Sequence, residues 1–268
     1  MTQKTQKRRL QRVALQPQQV ESGLGIRQVI ALTPEQRHYL GNVLRLEPNS
    51  EFIALDRQGG WWLAQLTNNL DRADIIAQLE NNSELSVPIT LGIAMPKGNN
   101  MESVVRQGTE LGVRQIVPLF SDRTVIKAGT DIGHQKRDRW QRIAEETAEL
   151  SLRSHVPKIM IPMSFEQWLA QITAISTDHA KYTKYPKYIC VTHSDVPHLW
   201  TGLQNNCGKA FSQIAIATGC EGGWTEREEA KAIAAGFEPV SLGDRVLSAI
   251  TAPVVALSII GAFLDSDR

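Results

Sequence analysis

Short runs in which hydrophobic and polar residues alternate dominate the first third of the chain. Such alternation predicts half-buried β-strands, here at residues 12–15, 27–31, 51–55 and 61–66. A turn at residues 57–60 joins the last two strands as a hairpin. The polar stretch 68–86 that follows predicts a linker that begins as the end of a strand. We therefore expect a small β-rich domain of the barrel type over residues 1–80.

One helix interrupts these strands. Thr33 is its expected N-cap, Pro34 its first helical residue, and Gln36 the partner that completes a capping box. The apolar stripe of this helix is expected at Leu40, Val43 and Leu44.

After residue 88, strand and helix patterns alternate. Apolar runs predict strands at residues 89–95, 116–119, 158–161, 188–192 and 213–218. Helical spacing predicts one helix that ends at Gly112, a second over residues 136–152 and a last one over residues 250–264. The last helix is apolar around its whole circumference, so we expect it to be buried both inside the domain and against another subunit. The alternation predicts an α/β domain over residues 88–268, with a parallel sheet covered by helices on both faces.

Two glycine-bearing turns follow late strands of this domain, at residues 219–223 and 242–247. Ligands of open α/β sheets bind at the carboxyl ends of strands, and glycine lets the main chain approach a small molecule closely. Thr225 and Glu228 form a capping box that starts a helix directly after the first turn. The chain contains neither a P-loop run nor the three spaced glycines of the dinucleotide fingerprint. The two turns therefore predict a slot for a cofactor of another kind.

Charge is unevenly distributed along the 268 residues, of which 42% are hydrophobic and whose net charge is +1. The first twelve residues hold five of the 29 basic side chains and no acidic one. The rest of the chain therefore carries 24 basic and 28 acidic side chains, a net charge of −4. This basic arm fits either a polyanionic partner or a disordered terminus. It is not followed by an apolar core, the three cysteines lack metal-ligand spacing, and the longest apolar stretch is shorter than a membrane span. We expect a cytoplasmic protein without a metal or a membrane partner.

Several motifs in order resemble the RsmE family of 16S ribosomal RNA (uracil-N3)-methyltransferases, of the SPOUT or trefoil-knot superfamily. The motifs are His-Tyr-Leu-Gly-Asn-Val-Leu-Arg-Leu at 38–46, Lys-Gly-Asn-Asn-Met-Glu at 97–102, Thr-Glu-Leu-Gly-Val at 109–113, Gly-Cys-Glu-Gly-Gly at 219–223 and Leu-Gly-Asp-Arg-Val-Leu at 242–247. Cys220 stands where the family has proline, and Gln107 where lysine is frequent. Residues 248–251 read Ser-Ala-Ile-Thr where Arg-Thr-Glu-Thr is common.

The resemblance implies a PUA-like RNA-binding barrel joined to a SPOUT trefoil-knot α/β domain that binds S-adenosyl-L-methionine. It implies methylation of a uridine at N3 in 16S rRNA of the small ribosomal subunit, by a homodimer. The implied cofactor-binding residues are Thr192, His193, Ala217, Thr218, Gly219, Gly222, Gly223, Leu242, Gly243, Val246, Leu247 and Thr251. Two rivals stay open: a relative that binds RNA without turnover, and a SPOUT enzyme with another target base or nitrogen.

Two charged residues are candidates for the chemistry. Glu221 is a possible proton acceptor if its turn is shielded from water, or else a carboxylate that complements a helix dipole. Arg245 is a candidate to stabilise charge that develops on the uracil oxygen. Trp61 and Trp62 are neighbours in one alternating strand, so one of them should lie in the core. At most one is therefore free to stack on a base. The predicted RNA-binding residues are Arg12, His38, Arg45, Lys97, Arg106, Arg123, Arg139 and Arg153.

Overall fold

The computed structural model describes residues 10–21, 23–56, 60–79, 84–125, 132–151, 153–178, 185–193, 195–206 and 211–266. They form two compact units. The first comprises the described residues up to Glu84 together with 153–155, and the second comprises the others. Most of the basic arm, the tip of the predicted 57–60 turn and Cys207 lie outside the described residues.

The first unit is built on a five-stranded sheet. Its strands are β1 (Arg12–Ala14), β2 (Val29–Ala31), β3 (Glu51–Leu55), β4 (Trp61–Leu66) and β5 (Arg72–Leu79), in the order β1-β3-β4-β5-β2. β1 pairs with β3 in parallel, and the other pairs are antiparallel. The eight-residue β5 lies in the stretch predicted as a linker, so that prediction was wrong. β5 is stabilised by its pairing with both neighbours and by the buried Ala73 and Ile75.

Two short helices, α1 (Pro17–Val20) and α2 (Pro34–Arg37), accompany this sheet. The predicted capping box is confirmed, since Gln36 N–H donates to Thr33 Oγ1 at 3.3 Å and Thr33 N–H to Gln36 Oε1 at 2.9 Å. Residues His38–Val43 then form a π-helical turn. Leu40 is buried, but Val43 is 58% exposed, so Val43 does not belong to the apolar stripe as predicted. A π turn has more residues per turn than an α-helix, which rotates the following side chains away from the expected face.

The second unit is built on a parallel sheet of seven strands. They are β6 (Ile89–Ala94), β7 (Gln115–Phe120), β8 (Lys158–Ile159), β9 (Met163–Ser164), β10 (Lys187–Cys190), β11 (Ile214–Thr218) and β12 (Glu238–Val240). The strand order is β12-β10-β11-β6-β7-β8, and β9 also pairs with β7. The last strand in sequence therefore pairs with β10, beyond β11, so that β10, β11 and β12 are neighbours at one end of the sheet.

Six helices cover the two faces of this sheet. They are α3 (Asn100–Glu110), α4 (Ile132–Leu150), α5 (Phe165–Asp178), α6 (Leu199–Gln204), α7 (Glu226–Ala234) and α8 (Thr251–Ser266). One hydrophobic cluster contains residues of α3, α4, α6 and α8, and a second contains residues of α5 and α7. Helices on both faces are thus confirmed. α4 begins at Ile132, four residues earlier than predicted.

The central strand β6 carries a glycine where an aromatic ring of the second cluster needs space. Trp168 is 2% exposed, and a Cβ atom added at Gly92 would lie 2.4 Å from its Cη2 atom. Such a separation is far below van der Waals contact, so the strand backbone and the indole ring pack directly on each other.

The last helix, α8, buries Ala256, Leu257, Ile260 and Phe263 within the second unit. Burial inside the domain is therefore confirmed for this face. The apolar side chains on other sides of α8 are half-buried, at Val254, Val255 and Ile259. Across the described residues, no helix combines the length and the hydropathy needed to cross a membrane.

Candidate functional site

A cavity lies where β10, β11 and β12 end. Because the three strands are parallel neighbours, with Cys190 opposite Val240 and Ile189 opposite Ala217, the loops after them leave the sheet side by side. The loops after these three strands, together with the start of α8, line the cavity. Eight predicted cofactor-binding residues border it: Thr192, His193, Gly219, Gly223, Leu242, Gly243, Val246 and Leu247.

The other four predicted cofactor-binding residues do not line the cavity. Ala217 and Thr218 are fully buried at the end of β11. The carbonyl of Gly222 accepts a hydrogen bond from Arg123. Thr251 is the first residue of α8, where its N–H donates to Ser248 Oγ at 3.1 Å. These residues shape the loops around the cavity, and Ser248 accepts a hydrogen bond at the start of α8.

The turn after β11 is closed tightly enough to require glycine. A Cβ atom at Gly219 would lie 3.1 Å from the Cα atom of Gly223, and Gly223 itself has φ of +66°. Only glycine adopts such a conformation without strain. The predicted capping box at the start of α7 is confirmed, since Glu228 N–H donates to Thr225 Oγ1 at 3.3 Å and Thr225 N–H to the Glu228 carboxylate at 2.9 Å.

Residues from the loop after β7 brace this turn. The buried Glu228 carboxylate also accepts the N–H of Asp122 at 2.8 Å. Arg123 Nη1 donates to the carbonyls of Gly222 at 2.6 Å and Trp224 at 3.0 Å. Arg123 was predicted to bind RNA, but part of its guanidinium is committed to these carbonyls. The brace fixes the main chain that borders one side of the cavity.

Asp122 adds an exposed ion pair to the brace. Its carboxylate accepts hydrogen bonds from Arg227 at 2.7 Å and from the Thr225 hydroxyl at 3.0 Å. The hydrogen bond from Arg227, then that from Thr225, holds the pKa of Asp122 below its ordinary value. The carboxylate therefore stays ionised and paired down to acid pH.

The turn after β12 is held by fewer contacts. Gly243 has φ of +110°, and its N–H donates to Ser241 Oγ at 3.0 Å. Beyond it, Asp244, Arg245 and Val246 are exposed, and the Val246 side chain is 84% exposed although it borders the cavity. An apolar side chain so open to solvent at a cavity margin is suited to contact a further molecule.

The two candidate catalytic residues lie in different surroundings. Arg245 is exposed and borders the cavity. Glu221 is exposed and is not among the residues that border it. The Glu221 carboxylate accepts the N–H of Lys97, with oxygen distances of 3.0 and 3.3 Å. The water-shielded environment required of a proton acceptor is thus not found at Glu221, and its contacts favour a structural role.

Several residues of the cavity wall were not predicted from the sequence. Among them are Cys220, which is buried, and Trp224 and Glu229, which face the cavity from the turn and from α7. His193 Nε2 lies 2.8 Å from Glu229 Oε1. The helical phase set by the Thr225 cap could have identified Glu229, since it lies four residues later on the same face of α7.

The wall combines apolar side chains with polar groups suited to an adenosyl ligand. Burial raises the pKa of the Cys190 thiol to about 12, so this group stays neutral beside Val191 and Leu242. Within the described chain, two buried polar atoms have no hydrogen-bond partner: Trp224 Nε1, on a residue that borders the cavity, and Thr218 Oγ1, on a residue that does not. Apolar slots with a few polar groups at the edge are typical of small-molecule sites. Among the residues that the structure describes, no group of three His, Cys, Asp or Glu side chains could hold a metal ion.

Besides Arg123, which is exposed and is described above, six of the predicted RNA-binding residues reach the surface. In the first unit, His38 and Arg45 are exposed, and the half-buried Arg12 lies over the Trp61 ring, 4.6 Å from its centroid. Trp62 is buried and Trp61 is half-buried, so of this pair only Trp61 is partly accessible. In the second unit, the exposed residues are Lys97, Arg106 and Arg139, of which Arg139 also pairs with Glu102 at 2.8 Å.

Arg153, the eighth predicted RNA-binding residue, is buried instead. Its side chain is only 4% exposed, and its Nε and Nη2 atoms donate to the Glu84 carboxylate at 3.0 and 2.7 Å. Burial alone would raise the pKa of Glu84, but the hydrogen bonds and charge of Arg153 outweigh that effect and lower it. The sequence could not distinguish this buried pair from a surface arginine, because its partner lies 69 residues away.

Comparison with known proteins places these features in a family. A family model described as an RNA methyltransferase domain matches residues 83–261, and one described as an RNA methyltransferase PUA domain matches residues 32–77. A ribosomal RNA small subunit methyltransferase E from Synechocystis is 40% identical over 257 residues, which cover 95% of this chain and 78% of that protein. One from Bacillus subtilis is 29% identical over 251 residues, covering 92% and 94%.

A solved structure shares the fold over almost the whole chain. It is a ribosomal RNA small subunit methyltransferase E from Neisseria gonorrhoeae bound to S-adenosyl methionine, with 28% identity and a TM-score of 0.73 over 94% of this chain and 97% of that one. The predicted fold class, an α/β methyltransferase domain with a parallel sheet preceded by a small PUA-like β domain, is confirmed. The chain belongs to the ribosomal RNA small subunit methyltransferase E family of S-adenosylmethionine-dependent RNA methyltransferases.

Proposed function

We propose that this protein transfers the methyl group of S-adenosylmethionine to N3 of a uridine in 16S rRNA of the small ribosomal subunit. Family membership supports the reaction class, and the relatives' descriptions support the substrate. The observation that carries the proposal is the cavity at the ends of β10, β11 and β12, which the motif-bearing turns line. The Neisseria relative is described as bound to the same cofactor.

Arg245 is the residue to which we assign the charge stabilisation. S-adenosylmethionine, when bound, supplies a methyl group activated by a sulfonium centre. Uracil N3 becomes nucleophilic as it loses its proton to solvent water, and the negative charge then spreads to the two carbonyl oxygens of the base. An exposed guanidinium at the cavity margin stabilises that charge once the bound RNA covers it. The exposed Val246 beside it offers an apolar contact to the base.

Glu221 has a positioning role in this proposal. Its carboxylate joins the turn after β11 to the main chain of Lys97, which follows β6. No side chain is assigned as the general base, because alignment and charge stabilisation lower the barrier without one.

In this proposal, basic side chains that reach the surface of each unit bind the RNA. Arg12, His38 and Arg45 act in the first unit, and Lys97, Arg106 and Arg139 act in the second. Contacts of this kind are with phosphates and therefore weaken as salt rises. Because the proposed substrate is ribosomal, we also propose a cytoplasmic location.

The half-buried apolar side chains of α8 support a homodimer. Val254, Val255 and Ile259 line sides of the helix that the second unit does not fully cover. A second copy of the chain would complete their burial. Sedimentation analysis should show a dimer that persists on dilution to micromolar concentration, and a monomer at that concentration would contradict this part of the proposal.

Mapping of modified nucleosides in 16S rRNA tests the main proposal. Cells that lack the protein should lose one N3-methyluridine, and the wild-type gene, but not an Arg245→Ala copy, should restore it. Loss of a different modification would favour the rival enzyme with another target. Calorimetry with S-adenosylmethionine tests the other rival, since a relative without turnover that has lost the cofactor should release no heat of binding.

A further inference from the structure

We propose that Glu229 recognises the ribose diol of the adenosyl cofactor and that His193 holds the Glu229 carboxylate in place. The inference rests on the proposed function and assigns a selective contact within the same cavity. The two residues lie outside the glycine turns, and the proposed contacts are made by their side chains instead of by main-chain groups.

The pair joins two walls of the cavity. Glu229 lies in the first turn of α7, and His193 lies in the loop after β10. Their side chains meet at 2.8 Å between Nε2 and Oε1, and both residues border the cavity. A short contact across the cavity wall fixes the direction in which the carboxylate points.

Glu229 differs from the other charged residues of the wall. Its side chain is 21% exposed, whereas Glu226, Asp244 and Arg245 are exposed. Arg123 already donates to main-chain carbonyls of the first turn. Glu229 is therefore the most covered of the carboxylates that border this cavity, and a ligand that fills the cavity must contact or desolvate it.

The chemistry of this carboxylate suits a vicinal diol. Oε1 contacts His193, while Oε2 has no hydrogen-bond partner within the described residues. An ionised carboxylate only accepts hydrogen bonds, and the two hydroxyls of a ribose are donors that such a group commonly binds. The position near the start of α7 favours the negative charge.

Calorimetry on the full-length protein tests the assignment, with S-adenosylhomocysteine, 5′-methylthioadenosine and the 2′,3′-dideoxy form of the latter as ligands. In the wild type, removal of the diol should weaken binding about tenfold or more, the usual effect of losing a hydrogen bond to a charged group. Glu229→Gln should weaken binding of both diol-bearing ligands by a similar factor. The same variant should bind the dideoxy compound as the wild type does. The ratio of the dissociation constants of the dideoxy compound and of methylthioadenosine should therefore fall below about threefold.

Matched variants separate this role from a general structural one. Glu146→Gln removes an exposed carboxylate from α4 and should leave all affinities unchanged. His193→Gln should reduce diol discrimination by a smaller factor than Glu229→Gln does. All variants should keep the wild-type melting midpoint within about two degrees, because the pair is partly exposed.

Three results would overturn the inference. Weaker binding of S-adenosylhomocysteine but not of methylthioadenosine would place the carboxylate at the amino-acid part of the ligand. Weaker binding of S-adenosylmethionine alone, measured alongside the three other ligands, would place the carboxylate at the sulfonium. Unchanged discrimination in Glu229→Gln would remove it from the site. If the wild type binds none of these ligands, the proposed function itself fails, and the two failures are thus distinguishable.

Discussion

The turns after β11 and β12 border the same cavity but are held very differently. The first is braced by the buried Glu228, by Arg123 and by the Glu221 contact with Lys97. The second places Arg245 and Val246 in solvent, with Ser241 Oγ as the acceptor for the N–H of Gly243. A braced main chain keeps the cofactor side of the cavity preformed, while an open margin is free to adapt to a large substrate. Preformed donors and acceptors lower the ordering cost of binding.

The largest expected effect is a loss of catalysis when Arg245, in the turn after β12, is replaced. Arg245→Ala should lower the rate constant of methyl transfer about 100-fold or more, as removal of one charge-stabilising donor does elsewhere. The dissociation constant of S-adenosylhomocysteine should change less than about twofold. Single-turnover methylation of small ribosomal subunits measures the rate, and Arg245→Lys should recover part of it. An unchanged rate would remove Arg245 from the chemistry.

The next largest expected effect is a loss of stability when a side chain that holds the turn after β11 is removed. Glu228→Ala leaves the N–H groups of Asp122 and Thr225 without their buried acceptor and should lower the free energy of unfolding by about 2–4 kcal/mol. Urea denaturation followed by tryptophan fluorescence measures this change. Asp244→Ala in the open turn is the matched control, with an expected change within about 0.5 kcal/mol. Equal losses in both variants would erase the contrast between the turns.

A smaller effect is expected from the other part of the brace. Arg123→Ala removes the donor to the carbonyls of Gly222 and Trp224 and should raise the dissociation constant of S-adenosylhomocysteine about five- to tenfold. The dissociation constant of Arg123→Lys should lie between those of the wild type and Arg123→Ala, because an ammonium reproduces the charge but not the guanidinium geometry. Arg106→Ala, which removes an exposed arginine from α3, serves as the control for calorimetry. A similar decrease in affinity for Arg106→Ala would point to a general charge effect.

The smallest effect should be visible as a pH dependence. The pKa of Asp122 is lowered in the folded protein, chiefly by the hydrogen bond from Arg227. Its contribution to stability is therefore present above the model-compound value of 3.8 and is lost as the pH falls through the lower folded pKa. Asp122→Asn should lower the melting midpoint slightly at pH 7, and the difference from wild type should shrink toward pH 3. A constant difference across this range would contradict the role of the ion pair.

Features that depend on neighbouring residues could be predicted from the sequence. The capping boxes at Thr33 and Thr225 and the glycine turn at Gly223 follow from local backbone requirements. Most strands of the parallel sheet were also located, because they are continuous apolar runs bounded by turns. Local hydrogen bonding and periodicity carry enough information for these elements.

Features that depend on distant partners could not be predicted. β5 has a weak pattern and is a strand because β2 and β4 pair with it on both sides. Arg153 resembles any surface arginine until Glu84 is brought against it. The brace of the first turn by Arg123 likewise spans 99 residues. In each case the deciding contact forms only when the tertiary structure does.

The contact between Gly92 and Trp168 restricts how these two positions can change over evolutionary time. A side chain at Gly92 cannot be accommodated while the indole ring fills the space above the strand. A smaller residue at position 168 must therefore be acquired first, and only then does alanine at position 92 become tolerable. Packing at this contact therefore favours one order of substitutions, the tryptophan before the glycine.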